Sequence, residues 1–182
     1  MKITNFTYKI ESLAAETGLI YRLSSRYYRG IIEREIILAN ITENDNILCI
    51  GGGICPFSAI LFHRITGARV TVTDNNAECV SKAQAVINRL GIGKNVRVFC
   101  ADGADSNVDF SEYTVVHLAL QVSPLDLVFA RVAQKIAPGT RLMIRKPKKF
   151  LAGMYCTGTL PEHCPCTIHK SRSIGSTLLY TA

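Results

Sequence analysis

The chain has 182 residues and a formal charge of +7, from 21 Lys and Arg against 14 Asp and Glu. That length suits one domain, and an apolar share of 48% is enough to bury a core, which excludes wholesale disorder. No run approaches the ~20 apolar residues that cross a bilayer, and MKITNFTYKI at the start has no apolar signal region, so the expectation is a cytoplasmic protein without a membrane partner.

Residues 8 to 40 read as mainly helical, broken near Gly18 and Gly30, within an N-terminal segment (1–40) that leads into a domain over 41–182. Asn46-Ile-Leu-Cys-Ile50 is a short apolar run ending at Gly51-Gly52-Gly53, the pattern of a buried strand closed by a turn. Phe57, Ile60, Leu61 and Ile65 then recur at helical spacing. Arg69–Thr73 reads as a second strand, and Asp74-Asn75-Asn76 supplies caps for a helix through Val80, Ala83, Val86, Ile87 and Leu90 that stops at Gly91. Val96–Cys100 is a third strand and Thr114–Leu118 a fourth. Ser123 is expected to cap a helix with Pro124 at its first position and Leu127, Val128, Val132 and Ile136 on its apolar side. Pro138-Gly139 turns the chain into a fifth strand, Thr140–Arg145. In the tail, Cys166–His169 and Ser176–Thr181, parted by a turn at Ser173-Ile-Gly175, read as a two-stranded hairpin. Apolar strands alternating with amphipathic helices predict a parallel sheet covered on both faces and joined by right-handed crossovers. Cys49, Cys55, Cys79 and Cys100 lie in or beside those apolar runs, so they are expected to be reduced core residues and not a disulfide framework.

In such a sheet ligands bind beyond the carboxyl ends of the strands, at the switch point, and three features fall there. Glycines in the first turn let backbone approach a ligand closely. Asp74, 21 residues after Gly53, ends the second strand, where a carboxylate can accept both hydroxyls of an adenosine ribose. Asp102-Gly103 follows the third strand, where a carboxylate can accept the exocyclic amine of an adenine. Each feature alone has a plainer reading as a tight turn or a helix cap; their joint placement after three successive strands points to nucleoside binding. Gly51-x-Gly53-x-x-Pro56 lacks the third glycine of the dinucleotide fingerprint, and Pro56 has no N–H for a pyrophosphate, which argues against NAD. No Gly-Lys-Ser/Thr follows, which excludes a P-loop.

The order of glycine turn, Asp74, Asp102 and then Ala137-Pro138-Gly139 before the fifth strand resembles the class I S-adenosylmethionine (SAM)-dependent methyltransferases over roughly residues 44 to 146. The resemblance implies an α/β, Rossmann-like fold: a seven-stranded, mostly parallel sheet with a C-terminal antiparallel hairpin and an N-terminal helical segment. It also implies SAM as the cofactor, with Gly51 and Gly53 along its methionine moiety, Asp74 at the ribose and Asp102 at the adenine. Gly52, Asn75 and Gly103 complete that cofactor-binding set. Cys49 stands where those enzymes often carry an acid, and Cys55 replaces the usual last glycine of the loop. Nicotianamine synthases, on the same fold, are similar at both positions. They carry a Gly-x-Gly-x-x-Pro-(Leu/Phe)-(Ser/Thr) turn with an apolar residue in place of the acid. Here the turn reads Gly51-Gly-Gly-Ile-Cys-Pro-Phe-Ser58, and Tyr27-Tyr28 followed by Glu33–Ala39 is similar to that family's Tyr-Tyr segment and the helix after it. That resemblance implies transfer of the aminobutanoyl arm of SAM, not its methyl group, to an amine.

A sulfonium carries its own leaving group, so the protein mainly positions a nucleophile in line with a carbon, and no acid–base pair is required. Tyr27 and Tyr28 could cover the cofactor or orient a substrate amine, with packing on the core as the plainer reading. Glu33 and Glu35 read as solvated helix charges. His117 and Gln121 bracket the end of the fourth strand, where acceptors sit in this fold; His117 could take a proton or be a hydrogen-bonded structural histidine. Cys156, His163, Cys164, Cys166 and His169 invite a zinc reading, but Cys-Pro-Cys leaves one intervening residue where structural sites use two to four, so no metal is expected. Arg145-Lys-Pro-Lys-Lys149 reads as a solvated basic loop, and no basic stripe interleaved with aromatics makes a nucleic-acid platform. The expected function is a SAM-dependent transferase acting on a small-molecule acceptor, by methyl transfer first and aminobutanoyl transfer second. The other classes are a SAM-binding module without turnover, in a homo-oligomer or beside a partner subunit, and a nucleic-acid-modifying enzyme.

Overall fold

The computed structural model describes residues 18–103, 108–155, 160–161 and 163–182. In chain order its elements are α1 (Gly18–Ala39), β1 (Asn46–Ile50), α2 (Phe57–Thr66), β2 (Arg69–Asp74), α3 (Ala77–Arg89), β3 (Val96–Cys100), β4 (Val115–Leu118), α4 (Leu125–Lys135) and β5 (Arg141–Pro147). A 3₁₀ turn (Lys149–Met154), β6 (Cys166–Ile168) and β7 (Ile174–Thr181) follow. All seven strands form one sheet in the order β3-β2-β1-β4-β5-β7-β6. β1 to β5 run parallel, and β7 is antiparallel to both its neighbours. The predicted hairpin therefore extends the sheet through β7 alongside β5. Chain order reverses between β1 and β4, which places the switch point at their carboxyl ends.

Alternation along each strand divides the core in two. Ile47, Cys49, Val70, Val72, Val115 and Met143 pack beneath α1, α2 and α3. Leu48, Ile50, Val116, Leu118, Leu142 and Ile144 face α4 together with Phe110 and Tyr113. Among the described residues α1, α2 and α3 cover one face and α4 the other, where Phe99 is 51% exposed.

Local chemistry accounts for most element boundaries. Asn76 caps α3, its side chain accepting from the N–H groups of Glu78 (2.9 Å) and Cys79 (3.3 Å). The α1 terminus closes with Asn40 at φ 47° and an Ile41 N–H to Ile36 carbonyl bond of 3.0 Å. Arg141 donates to the last carbonyls, Ala39 (2.6 Å) and Asn40 (2.9 Å), and pairs with Asp45, a cation where the helix dipole favours one.

Two expectations fail. The break at Gly30 does not occur, and α1 runs unbroken for 22 residues. Ile31 and Ile32 bury there and Arg34 donates to the Gly30 carbonyl at 2.6 Å, so packing outweighs a glycine cost of about 1 kcal/mol. Ser123 makes no cap either: Pro124 itself occupies the N-cap, without a side-chain bond, and α4 starts at Leu125. Residues 8–17 of the expected helical stretch lie outside the described residues. Among the described residues no helix is long and apolar enough to cross a membrane.

Candidate active site

β1 ends at Ile50 and the chain reverses over three glycines. Gly51 and Gly53 hold φ of 84° and 63°, a region that disfavours side chains. Gly52 lies so close to β2 that a Cβ would meet Val72 Cγ1 at 2.2 Å. The turn is tied to β2: the N–H groups of Gly51 and Gly52 donate to the Thr73 carbonyl (2.8 and 3.1 Å), and that of Gly53 donates to Asp74 Oδ2 (2.8 Å). Asp74 Oδ1 accepts from the Asn76 N–H at 3.0 Å, so one carboxylate fixes both the turn and the entry to α3. Each of its oxygens keeps a further lone pair.

On the next strand Cys100 lies opposite Asp74, and the ladder continues one step further through the Ala101 N–H to Asp74 carbonyl bond (3.1 Å). Asp102 follows as an exposed carboxylate. Gly103 then tucks in where a Cβ would lie 2.5 Å from Ile50 Cγ2, so the loop after β3 folds back over the end of β1. The structure thus brings Gly51, Gly52, Gly53, Asp74, Asn75, Asp102 and Gly103 to one rim. Its chemistry suits an adenosine, whose ribose hydroxyls and exocyclic amine are donors for carboxylates. It does not suit a phosphate, because all three glycine N–H groups are already bonded to Thr73 and Asp74 and the rim is acidic.

Tyr28 stacks on Phe57, directly after Pro56 (ring centroids 5.4 Å apart, 12° between planes), and Tyr21 stacks there too (5.6 Å). Tyr27 packs edge-on to Tyr28, and its hydroxyl accepts from the Arg172 N–H at 3.3 Å. Burial works to raise the Tyr27 phenol, but hydrogen bonds from Ser171, Ser173 and the local backbone outweigh it and lower its pKa. The tyrosine pair therefore joins α1 to the turn on one side and to the β6–β7 connection on the other.

Behind the turn lies a charged cluster that contradicts two expectations. Glu35 is not solvated but 0% exposed, and Arg145, on the fifth strand as expected, is not a solvated charge either but 3% exposed. Arg145 Nε and Nη2 each donate to one Glu35 oxygen at 2.8 Å, and Nη1 donates to Ser58 Oγ at 2.9 Å. The Thr177 hydroxyl donates to Glu35 Oε1 (2.6 Å), and His169 Nε2 lies 2.8 Å from Thr177 Oγ1. Glu33, in contrast, is exposed and pairs with Arg29 as a helix charge should. The missed signal was spacing: Ile32, Glu35 and Ala39 share one helical face, and Met143 and Arg145 share one strand face.

His117 is also buried, one residue inside the β4 end on the Cys49 side, while Gln121 is exposed beyond that end. His117 packs edge-on against Phe62, and its Nε2 is 3.7 Å from Glu35 Oε2, too long for a hydrogen bond. Neither of its ring nitrogens has a hydrogen-bond partner among the described residues. Burial drives the Glu35 carboxyl up, but the Arg145 charge and bonds, with His117 beside it, hold it far below the usual range. Burial of His117 and His169, with Arg145 close by, lowers their pKa values against the pull of Glu35. Because the unfolded histidines bind protons that the folded ones refuse, stability is full above about pH 6.5 and falls as pH drops below it; the Glu35 contribution is lost in the same direction at lower pH. The thermal midpoint is expected to hold from pH 7.5 to about pH 6.5 and to decline from there to pH 5, and His117→Phe to flatten that decline, as calorimetry across this range will check.

Cys49 lies among these groups, and burial pushes its thiol up to about 12, which leaves it inert at neutral pH. Cys156 of the zinc reading lies outside the described residues, and His169 is committed to Thr177 in the core. Among the described residues no three His, Cys, Asp or Glu side chains are grouped to hold a metal.

A family model described as nicotianamine synthase protein matches residues 26–160. No curated protein matches the sequence. Among solved structures, the chain is similar to a point mutant of MtNAS in complex with S-adenosylmethionine, at 22% identity and TM-score 0.79, over 98% of this chain and 74% of that one. It is similar to MtNAS in complex with MTA and tNA at 23% identity and TM-score 0.76, over 98% and 72%. An RNA methyltransferase from Salinibacter ruber in complex with S-adenosyl-L-homocysteine is similar at 21% identity and TM-score 0.63, over 84% and 90%. At these identities the likeness is one of fold: an α/β, Rossmann-like sheet of the class I methyltransferase type.

Proposed function

The chain belongs to the nicotianamine synthase family and is a SAM-dependent transferase, and from that premise we propose that it transfers the aminobutanoyl arm of SAM to a small-molecule amine. SAM supplies an electrophilic carbon beside its sulfonium, and methylthioadenosine is the leaving group in arm transfer. Asp74 and Asn75 would hold the ribose, Asp102 and Gly103 the adenine, and Gly51, Gly52 and Gly53 would let the arm lie close to the backbone.

One observation carries the choice of arm over methyl. The strand position that often bears an acid in methyltransferases is Cys49, buried and uncharged, and the nearest acid, Glu35, is bonded by Arg145 on both oxygens. No carboxylate on β1 therefore clamps the ammonium of the arm, which leaves the arm free to present its own carbon to a nucleophile. Tyr28, stacked on Phe57 beside the turn, and Tyr27, edge-on to Tyr28, would orient an incoming amine.

The test is product identity. Incubation with SAM and a panel of amines, followed by mass spectrometry of the nucleoside, is expected to yield methylthioadenosine above the non-enzymatic background. S-adenosylhomocysteine would instead mean methyl transfer, and SAM binding without either product would mean a module without turnover.

A further inference from the structure

We propose that Arg145 is a positioning residue for the SAM turn: it holds the Gly51–Ser58 segment in its binding shape through Ser58, while Glu35 holds Arg145. This deepens the functional reading above and rests on it for the identity of the ligand.

The segment is anchored at its two ends by different parts of the fold. At the first end, Gly51, Gly52 and Gly53 donate to Thr73 and Asp74 of β2. Between the ends, Ile54, Cys55, Pro56 and Phe57 are all buried, so the chain there has no solvent to move into. At the far end α2 begins on Pro56, which makes no side-chain cap bond. The bond from Arg145 Nη1 to Ser58 Oγ (2.9 Å) ties that first turn to β5 instead. From above, the rings of Tyr21 and Tyr28 on α1 stack on Phe57, the residue before Ser58.

A guanidinium is the group that can do this. Its three nitrogens point in fixed, coplanar directions; two meet Glu35 on α1 and the third meets Ser58. A buried ion pair adds little net stability over an apolar pair of the same volume, but this one sets the spacing of α1, β5 and α2 in one plane. Glu35 is held in turn by Thr177 of β7. A shift of β5 or α1 would thus reach the turn through Ser58.

Four variants decide the matter, read by SAM binding, steady-state kinetics and hydrogen exchange. Ser58→Ala is expected to raise the SAM dissociation constant and KM by about tenfold, the effect of losing a bond to a charged group, with kcat at saturating SAM nearly unchanged. Ser58→Thr, which keeps the hydroxyl, is expected to restore binding. Arg145→Lys should weaken SAM binding as well, and the double variant should be no weaker than Arg145→Lys alone, because both act along one path. In the free protein, hydrogen exchange at the Gly51–Gly53 amides should speed up in Ser58→Ala while β1 and β4 stay protected. Wild-type SAM affinity in Ser58→Ala, additive losses in the double variant, or unchanged exchange at the turn would each overturn the positioning role. A wild type that binds no SAM overturns the reading of the ligand instead, and the exchange measurement then decides the positioning role by itself.

Discussion

Glu35→Ala is expected to lower the unfolding free energy by about 3–5 kcal/mol, because it leaves the Arg145 guanidinium buried with no counter-charge. Arg145 cannot shed its proton to escape that cost. The Thr177 hydroxyl would lose its acceptor at the same time, and the two buried histidines their nearest carboxylate. Against a typical total of about 5–15 kcal/mol the loss is large. Glu33→Ala provides the control on the same helix. The side chains of the Arg29–Glu33 pair are 62% and 47% exposed, so removing it should cost at most about 1 kcal/mol. Denaturant titration of both variants measures the contrast directly, and equal losses would mean that the buried pair is not the anchor described here.

Asp74→Ala is expected to weaken SAM binding by about 1.5–3 kcal/mol, roughly ten- to a hundredfold. Two effects add in this variant. The lone pairs available to ribose hydroxyls disappear, and the Gly53 and Asn76 N–H groups lose the oxygens that hold the turn and the entry to α3. Asp74→Asn keeps the shape and one oxygen, so its loss should be smaller. Asp102→Ala should also cost less, since Asp102 is exposed. Titration calorimetry with SAM orders the three variants; wild-type affinity in Asp74→Ala would remove that residue from the site.

These two residues also mark how far the amino-acid sequence could be read. Asp74 was legible because its signals are local. The apolar run of β1, the glycines after it and the Asn76 cap each act through near neighbours, and the β1 and β3 boundaries were legible for the same reason. Glu35 was misread because its surroundings come from elsewhere in the chain. Its partners Arg145 and Thr177 stand 110 and 142 residues away, and nothing beside Glu35 in sequence announces them. The uninterrupted α1 at Gly30 and the absent cap at Ser123 belong to the same class, since burial of neighbouring residues and the start of α4 were set by packing.

By itself, then, the sequence determined the strands, the glycine turn and the acidic rim, because hydrogen bonding and backbone sterics act between near neighbours. Only the tertiary structure decided which charges are buried, how β7 joins β5, and how α1 is pinned to the turn. A charge enters the core only where a distant segment brings its counter-charge, and that meeting is a property of the folded chain.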